Sequence, residues 1–299
     1  MLRHLMEAPD RLLDRMSLRR APGLPTQLHM AVTDRCFLPC THCDIWKNKT
    51  SDLAEADWRR TIQRLGQWCA PASMNFVGGE PLMFKGLTNL MQLAVELGFT
   101  VSFNTNGWLV NQSNAKAFCE AGVSIAYVSL DGASEHTVDV TRGKAGSFDK
   151  AIQAIEHFER LPNPRVVVAT VLHAKNALEI PALLQFVKER GLQVVVQPLY
   201  QNFGENTYEP DWFKRSELWP QDQSELTPIF EALDLLSTER FRGGPVCNTV
   251  SQLQAMKTHF AHPESTNGVS CRAGHSDLSF DARGNIRLCY FLEPVGNIF

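Results

Sequence analysis

Between Gln27 and Gln197, strand-like apolar runs alternate with helix-patterned stretches, and this alternation limits the fold more than any other feature. Strand signals fall at Leu28–Val32, Met74–Val77, Thr100–Phe103, Ser124–Leu130, Val166–Leu172 and Gln193–Gln197. Helical patterns occupy Ala54–Trp68, Leu87–Leu97, Gln112–Ala121, Phe148–Arg160 and Ala177–Arg190. Glycines 98, 122 and 191 each follow one of these patterns, as a helix stop should. Six β/α repeats with short connections imply an α/β domain with a parallel sheet, either rolled into a barrel or left open. In both arrangements chemistry belongs at the carboxyl ends of the strands.

Polar residues gather at those ends. The first strand runs into Cys36-Phe37-Leu38-Pro39-Cys40-Thr41-His42-Cys43, and the second into Gly78-Gly79-Glu80-Pro81, whose two glycines permit close backbone approach to a ligand. The third ends in Asn104-Thr105-Asn106-Gly107, and the fourth in Ser129-Leu130-Asp131-Gly132 with Arg142 downstream. His173, Lys175 and Asn176 follow the fifth strand, and the sixth ends at Gln197. Gly, Asn and Asp are ordinary turn residues, so any one of these ends could be turn chemistry alone. Soft thiolates at Cys36, Cys40 and Cys43 suit zinc or an iron–sulfur cluster, but one loop supplies only three of four ligands. Three buried thiols or a zinc knuckle remain alternatives on the loop alone.

Composition excludes several classes. The 299 residues are 44% apolar and 20% charged with net charge −3, normal for a soluble globular protein and without a pull toward nucleic acid or anionic membrane. No apolar run approaches the ~20 residues of a membrane span, and residues 1–20 lack a signal-peptide core. The expectation is a cytoplasmic protein with neither nucleic-acid nor membrane partners. Eight cysteines in such a chain do not indicate a disulfide framework; Cys69 and Cys119 read as small buried hydrophobes.

The spacing Cys36-x3-Cys40-x2-Cys43 resembles the signature of the radical S-adenosylmethionine (radical SAM) superfamily. Gly78-Gly79-Glu80-Pro81 resembles that family's GGEP motif, and Asn104-Thr105-Asn106-Gly107 its third-strand TNG. The resemblance covers about residues 28–199 and implies a partial (βα)6 TIM-like barrel. It implies a [4Fe–4S] cluster on Cys36, Cys40 and Cys43, with S-adenosylmethionine on the open iron. Gly78, Gly79 and Glu80 would meet the methionyl amino group, Ser129 and Arg142 the ribose or carboxylate, and Asn104 and Asn176 would complete the cofactor site. Phe37 would shield the cluster, touch adenine, or only pack. The implied reaction is reductive cleavage to a 5′-deoxyadenosyl radical that abstracts hydrogen from a substrate C–H bond. A flavodoxin or ferredoxin is the expected electron donor.

Residues 1–26 read as a helix and Pro/Gly tether, and 201–262 as a connecting loop followed by helices over Ser224–Arg240 and Val246–Phe260. In 263–299, Cys271-x12-Gly284-x4-Cys289, a hairpin around Asp281–Asn285 and Gly296-Asn297-Ile298 resemble the SPASM or twitch appendage. That implies an auxiliary cluster on Cys271 and Cys289, with Cys247 as a further candidate. The chain stops at Phe299, about where such an appendage would continue, so truncation, other ligands and a vestigial site all stay open. Tyr290 stands where sulfatase-maturing relatives carry a carboxylate, which argues against that subfamily. SPASM-like tails point to a peptide or protein substrate, or to cofactor maturation. A small-molecule enzyme of the nucleotide-cyclase or alcohol-dehydrogenase type is the alternative, and a non-catalytic zinc or iron–sulfur protein the reading from another class. The chain lacks the Gly-Arg-Arg tail of the molybdenum-cofactor cyclases.

Overall fold

The computed structural model describes residues 23–201, 204, 209–264, 273–290 and 292–299. The expected N-terminal helix and Cys271 lie outside the described residues. Six parallel strands, β1 (Gln27–Thr33), β2 (Ser73–Gly78), β3 (Thr100–Thr105), β4 (Ile125–Ser129), β5 (Arg165–Leu172) and β6 (Gln193–Pro198), lie side by side in chain order. β5 and β6 are rich in valine, whose branched side chains suit the pleated surface. Helices α1 (Glu55–Cys69), α2 (Leu87–Glu96), α3 (Gln112–Glu120), α5 (Ser147–Glu159) and α6 (Ile180–Glu189) fall where the apolar periodicity places them. Each buries one stripe, such as Trp58, Ile62 and Leu65 on α1. Alternate strand residues meet these stripes: Phe103 of β3 packs on Phe118 of α3 and Phe158 of α5 at centroid distances of 4.9 and 6.0 Å. Fully burying such a side chain contributes roughly 1.5–3 kcal/mol.

The other face of the strands is unlike the packed interior of a closed TIM barrel. It carries His29, Asn75, Ser102, Asn104, Tyr127 and Ser129, with Ala169, Val171 and Val195 opposite, and these line a cavity of about 510 Å³. Bulky branched residues fill a closed barrel; small and polar ones here leave space. The sheet does not close. It continues from β1 through β7 (Asp277–Phe280), β8 (Asn285–Arg287) and β9 (Gly296–Asn297), ending with β6 at one edge and β9 at the other.

Three features differ from the sequence-based expectations. An eight-residue helix, α4 (Glu135–Arg142), forms between β4 and α5. It has one buried aliphatic residue, Val138, so it carries no periodic signal; its marks are the Ser134 cap, whose Oγ accepts from Thr137 N–H at 3.3 Å, and the Gly143 stop. The last helix, α8 (Val250–Ala261), starts later than Val246 because Thr249 and Gln252 form a reciprocal capping box. Val246–Asn248 instead serves the edge of β6, where Cys247 N–H donates to Val194 O (2.8 Å) and the Asn248 amide bonds both Val196 N–H and O. That covers an otherwise open edge. Finally, the C-terminal hairpin, read from the sequence as part of an appendage, extends this sheet: β7 pairs in parallel with β1 from Gln27↔Asp277 to Met30↔Phe280.

Helix α7 (Gln223–Phe241) packs against α8. The described part of the segment after β6 is pinned to α8 by aromatics, with Trp212–Trp219 at 5.1 Å and Trp219–Phe260 at 5.0 Å. Among the described residues no helix is long and apolar enough to cross a membrane.

Candidate active site at the carboxyl ends of the strands

The cysteine loop leaves β1 at Thr33 and crosses the end of β2. There Gly79 N–H donates to Thr33 O and Glu80 N–H to Arg35 O, each at 2.8 Å. The crossing needs glycine: a Cβ on Gly79 would sit 2.3 Å from Arg35 O, and one on Gly78 (φ 127°) 2.2 Å from Thr33 O. The close approach that the glycine pair permits is therefore made by the cysteine loop itself, while both glycines also line the cavity. Farther along, Thr41 binds Thr141 O through its N–H (3.0 Å) and its hydroxyl (3.1 Å), which docks the loop on the end of α4.

Cys36, Cys40 and Cys43 are all half-buried free thiols lining the one cavity. Burial pushes Cys36 up to about 11 and Cys43 up to about 12, and raises Cys40 as well. Such thiols stay protonated unless a bound cation supplies the driving force for ionisation. Among the described residues no three His, Cys, Asp or Glu side chains converge on a single ion. A polynuclear iron–sulfur cluster takes one thiolate per iron, so three thiols of one loop are a set it can use. His42 lies between the last two cysteines, lines the cavity, and has a buried Nδ1 without a hydrogen-bond partner among the described residues.

Glu80 is almost fully buried and does not line the cavity. Its Oε1 accepts from Thr105 Oγ1 (2.9 Å) and Leu82 N–H (3.3 Å), and its Oε2 from Asn106 N–H (2.8 Å). It thereby ties the end of β2 to the end of β3. Burial pushes its carboxyl up to about 7 against the pull of those donors. Asn104 does line the cavity, and its Oδ1 accepts from Asn75 Nδ2 at 3.0 Å; Asn75 in turn accepts from Ser102 Oγ at 3.1 Å. Sequence reasoning missed Asn75, whose signal is a polar residue inside the otherwise apolar strand run Met74–Val77.

Ser129 and Arg142 also line the cavity. Arg142, at the end of α4, pairs with the fully buried Asp131 at 2.6 Å, and its Nε has no hydrogen-bond partner among the described residues. Burial pushes the Asp131 carboxyl up, but the Arg142 guanidinium, together with His42, the Val171 N–H and His173, holds the group below its ordinary value. Asn176 is fully buried and outside the cavity lining: its amide nitrogen donates to Asp131 O (2.7 Å) and Val171 O (2.8 Å), and its oxygen accepts from His173 N–H (2.9 Å). It is a brace between the ends of β4 and β5. His173 beside it is fully buried, and burial pushes its imidazole down to about 4.

A stability prediction follows from His173. The unfolded chain takes up that proton below about pH 6.5, the folded chain only near 4, so stability drops as the pH is lowered through this window. The full shift is worth about 3 kcal/mol. Thermal unfolding of wild type and His173→Gln between pH 7 and 4 should show the steeper acid loss in wild type; parallel curves would mean that His173 is not held neutral.

The model of the "Radical SAM superfamily" matches residues 30–187, which is 158 of 299 residues and more than half of the chain. This chain belongs to the radical SAM superfamily. Residues matching an Fe-coproporphyrin III synthase of Methanosarcina barkeri are 32% identical over 54% of this chain and 40% of that protein. A PqqA peptide cyclase of Rhodopseudomonas palustris is 26% identical over 54% of this chain and 44% of its own length. The chain thus spans less than half the length of these curated relatives. Among solved structures, Streptococcus suis SuiB bound to S-adenosylmethionine superposes with a TM-score of 0.70 at 16% identity, over 94% of this chain and 64% of SuiB. At that identity the likeness is one of fold.

The remaining candidates of this radical SAM chain lie apart from the cavity. Phe37 is not among its lining residues; it meets Trp108 edge-on at 5.8 Å, with Lys144 Nζ over both rings. Cys119 is half-buried, its Sγ 3.6 Å from Asn163 Oδ1, whereas Cys69 is a core residue. Cys247 hangs on β6 and Cys289 follows β8, so the two belong to opposite ends of the strand order.

Proposed function

We propose that Cys36, Cys40 and Cys43 hold a [4Fe–4S] cluster and that the cavity beside them takes S-adenosylmethionine. When bound, the pair supplies one-electron cleavage to a 5′-deoxyadenosyl radical, which abstracts hydrogen from a substrate C–H bond. The observation that carries the reading is that three thiols of one loop line the same cavity as Gly78, Gly79, Asn104, Ser129 and Arg142. The Gly78 and Gly79 carbonyls suit the methionyl amino group, the Ser129 hydroxyl the ribose, and the Arg142 Nε–H a carboxylate. Glu80 and Asn176 hold the cradle in shape through the bonds described above, and Asn104, its oxygen engaged by Asn75, lines the cavity.

The proposed substrate is a peptide. The PqqA peptide cyclase supports this by name, and so does the SuiB fold, known with its precursor peptide SuiA bound and superposing at a TM-score of 0.70. A small-molecule substrate is the second reading, supported by the Fe-coproporphyrin III synthase that matches the same half of the chain. The electron would come from a flavodoxin or ferredoxin in the reducing cytoplasm.

The test is anaerobic reconstitution with iron and sulfide, followed by dithionite and S-adenosylmethionine. Iron and sulfide equal to one cluster per chain, or two if the C-terminal cysteines hold another, together with release of 5′-deoxyadenosine, are the expected results. Stoichiometric zinc, or a loaded chain that leaves S-adenosylmethionine intact, would overturn the reading.

A further inference from the structure

The end of β3 and the turn after it carry two asparagines with different surroundings. Both line the cavity, Asn104 from within the strand, while Asn106, beyond its end, also approaches the cysteine loop. Its backbone N–H is held by Glu80 Oε2 at 2.8 Å, and its side-chain Oδ1 accepts from Trp108 N–H at 3.0 Å. Only the oxygen of an amide can accept that N–H, so the nitrogen points the other way. There Nδ2 lies 3.8 Å from Cys36 Sγ. Trp108 is itself anchored through Nε1 to Ser147 Oγ at 3.2 Å, so the turn is braced from outside as well as from Glu80.

We propose that Asn106 is a positioning residue for the iron–sulfur cluster, its amide N–H donating to the Cys36 sulfur and raising the cluster's reduction potential. This rests on the proposed function above. Adding an electron increases the negative charge on the cluster and its thiolates. A donor at a ligating sulfur therefore stabilises the reduced form more than the oxidised one. Cys36 and Cys43 each have a backbone contact, at Leu38 and Ile45, whereas the side-chain partners differ: Cys40 has the Arg142 guanidinium and Cys36 the Asn106 amide. At Cys36 the side-chain donor is neutral and can be replaced without stranding a buried charge. No proton is transferred at Asn106, and the electron comes from the external one-electron donor.

The test is an EPR-monitored redox titration of the reconstituted full chain, without S-adenosylmethionine and with dithionite as reductant. Wild type is compared with Asn106→Leu and Asn106→Asp. Asp keeps the size and the acceptor for Trp108 N–H but turns a carboxylate oxygen toward the sulfur. Both midpoints should be more negative than that of wild type, Asp beyond Leu, at unchanged iron content. A tenfold change in the reduced-to-oxidised ratio reads as about 59 mV for a one-electron couple. If the Leu variant fails to fold, the Asp variant decides. A wild-type midpoint in a loaded Asp variant overturns the inference and leaves the proposed function standing. Folded variants that cannot load at all overturn it too, because Asn106 would then serve assembly instead of potential. A wild-type chain that takes up no iron and sulfide overturns both.

Discussion

Cys40→Ala should lose the cluster and reduce 5′-deoxyadenosine formation to background, while the fold remains. The loop provides three thiols and no spare, so losing one leaves a site that cannot complete a three-thiolate set. Cys40 sits in the middle of the loop, next to the Arg142 guanidinium. The thiol is half-buried and outside the apolar core, so truncation should change unfolding stability by about 1 kcal/mol or less. Iron and sulfide analysis with product chromatography checks the first outcome, and thermal unfolding the second. Activity that survives in Cys40→Ala would place the radical chemistry elsewhere.

Arg142→Met should produce the largest stability loss of any single change at this site, about 3–5 kcal/mol. Asp131 is fully buried, and Arg142 at 2.6 Å is the cation that keeps it ionised. Removing the guanidinium leaves an uncompensated buried carboxylate and breaks the ion pair between the last turn of α4 and the loop after β4. The double variant Asp131→Asn/Arg142→Met should recover most of the loss, because Asn can still accept the Val171 N–H that Asp131 accepts at 2.9 Å. Urea unfolding of the two singles and the double measures this. Additive losses would show that the pair is not coupled, and the role of Arg142 would then be limited to the cavity.

The two predictions probe different kinds of knowledge. Cys40 is legible from spacing, because ligand chemistry restricts which residue types can serve and the loop is local in sequence. The Asp131–Arg142 pair is only half legible. Both residues stand out in the chain, but the helix that carries Arg142 into place is too short and too polar to show a period. The same contrast holds at Gly78-Gly79: that glycines must permit a close approach could be read directly, but the approaching atoms are the backbone oxygens of Thr33 and Arg35, about forty-five residues earlier. Glu80 and Asn176 were legible as polar residues at strand ends. Their burial, and the use of their side chains as braces, were not.

What the amino-acid sequence determined by itself is the alternation of six strands with helices and the gathering of polar residues and thiols at their carboxyl ends. Both follow from local forces: β-branched runs, amphipathic periods, glycine stops and the thiol set at Cys36, Cys40 and Cys43. Only the tertiary structure decided which polar groups face the cavity and which are consumed as bracing. It also decided that β7 extends the sheet along β1, and that Asn106 and not Asn104 reaches a cysteine sulfur. These depend on pairings between residues far apart in the chain. Their hydrogen-bond partners are chosen by burial, which requires each enclosed polar group to find a mate that no local pattern names.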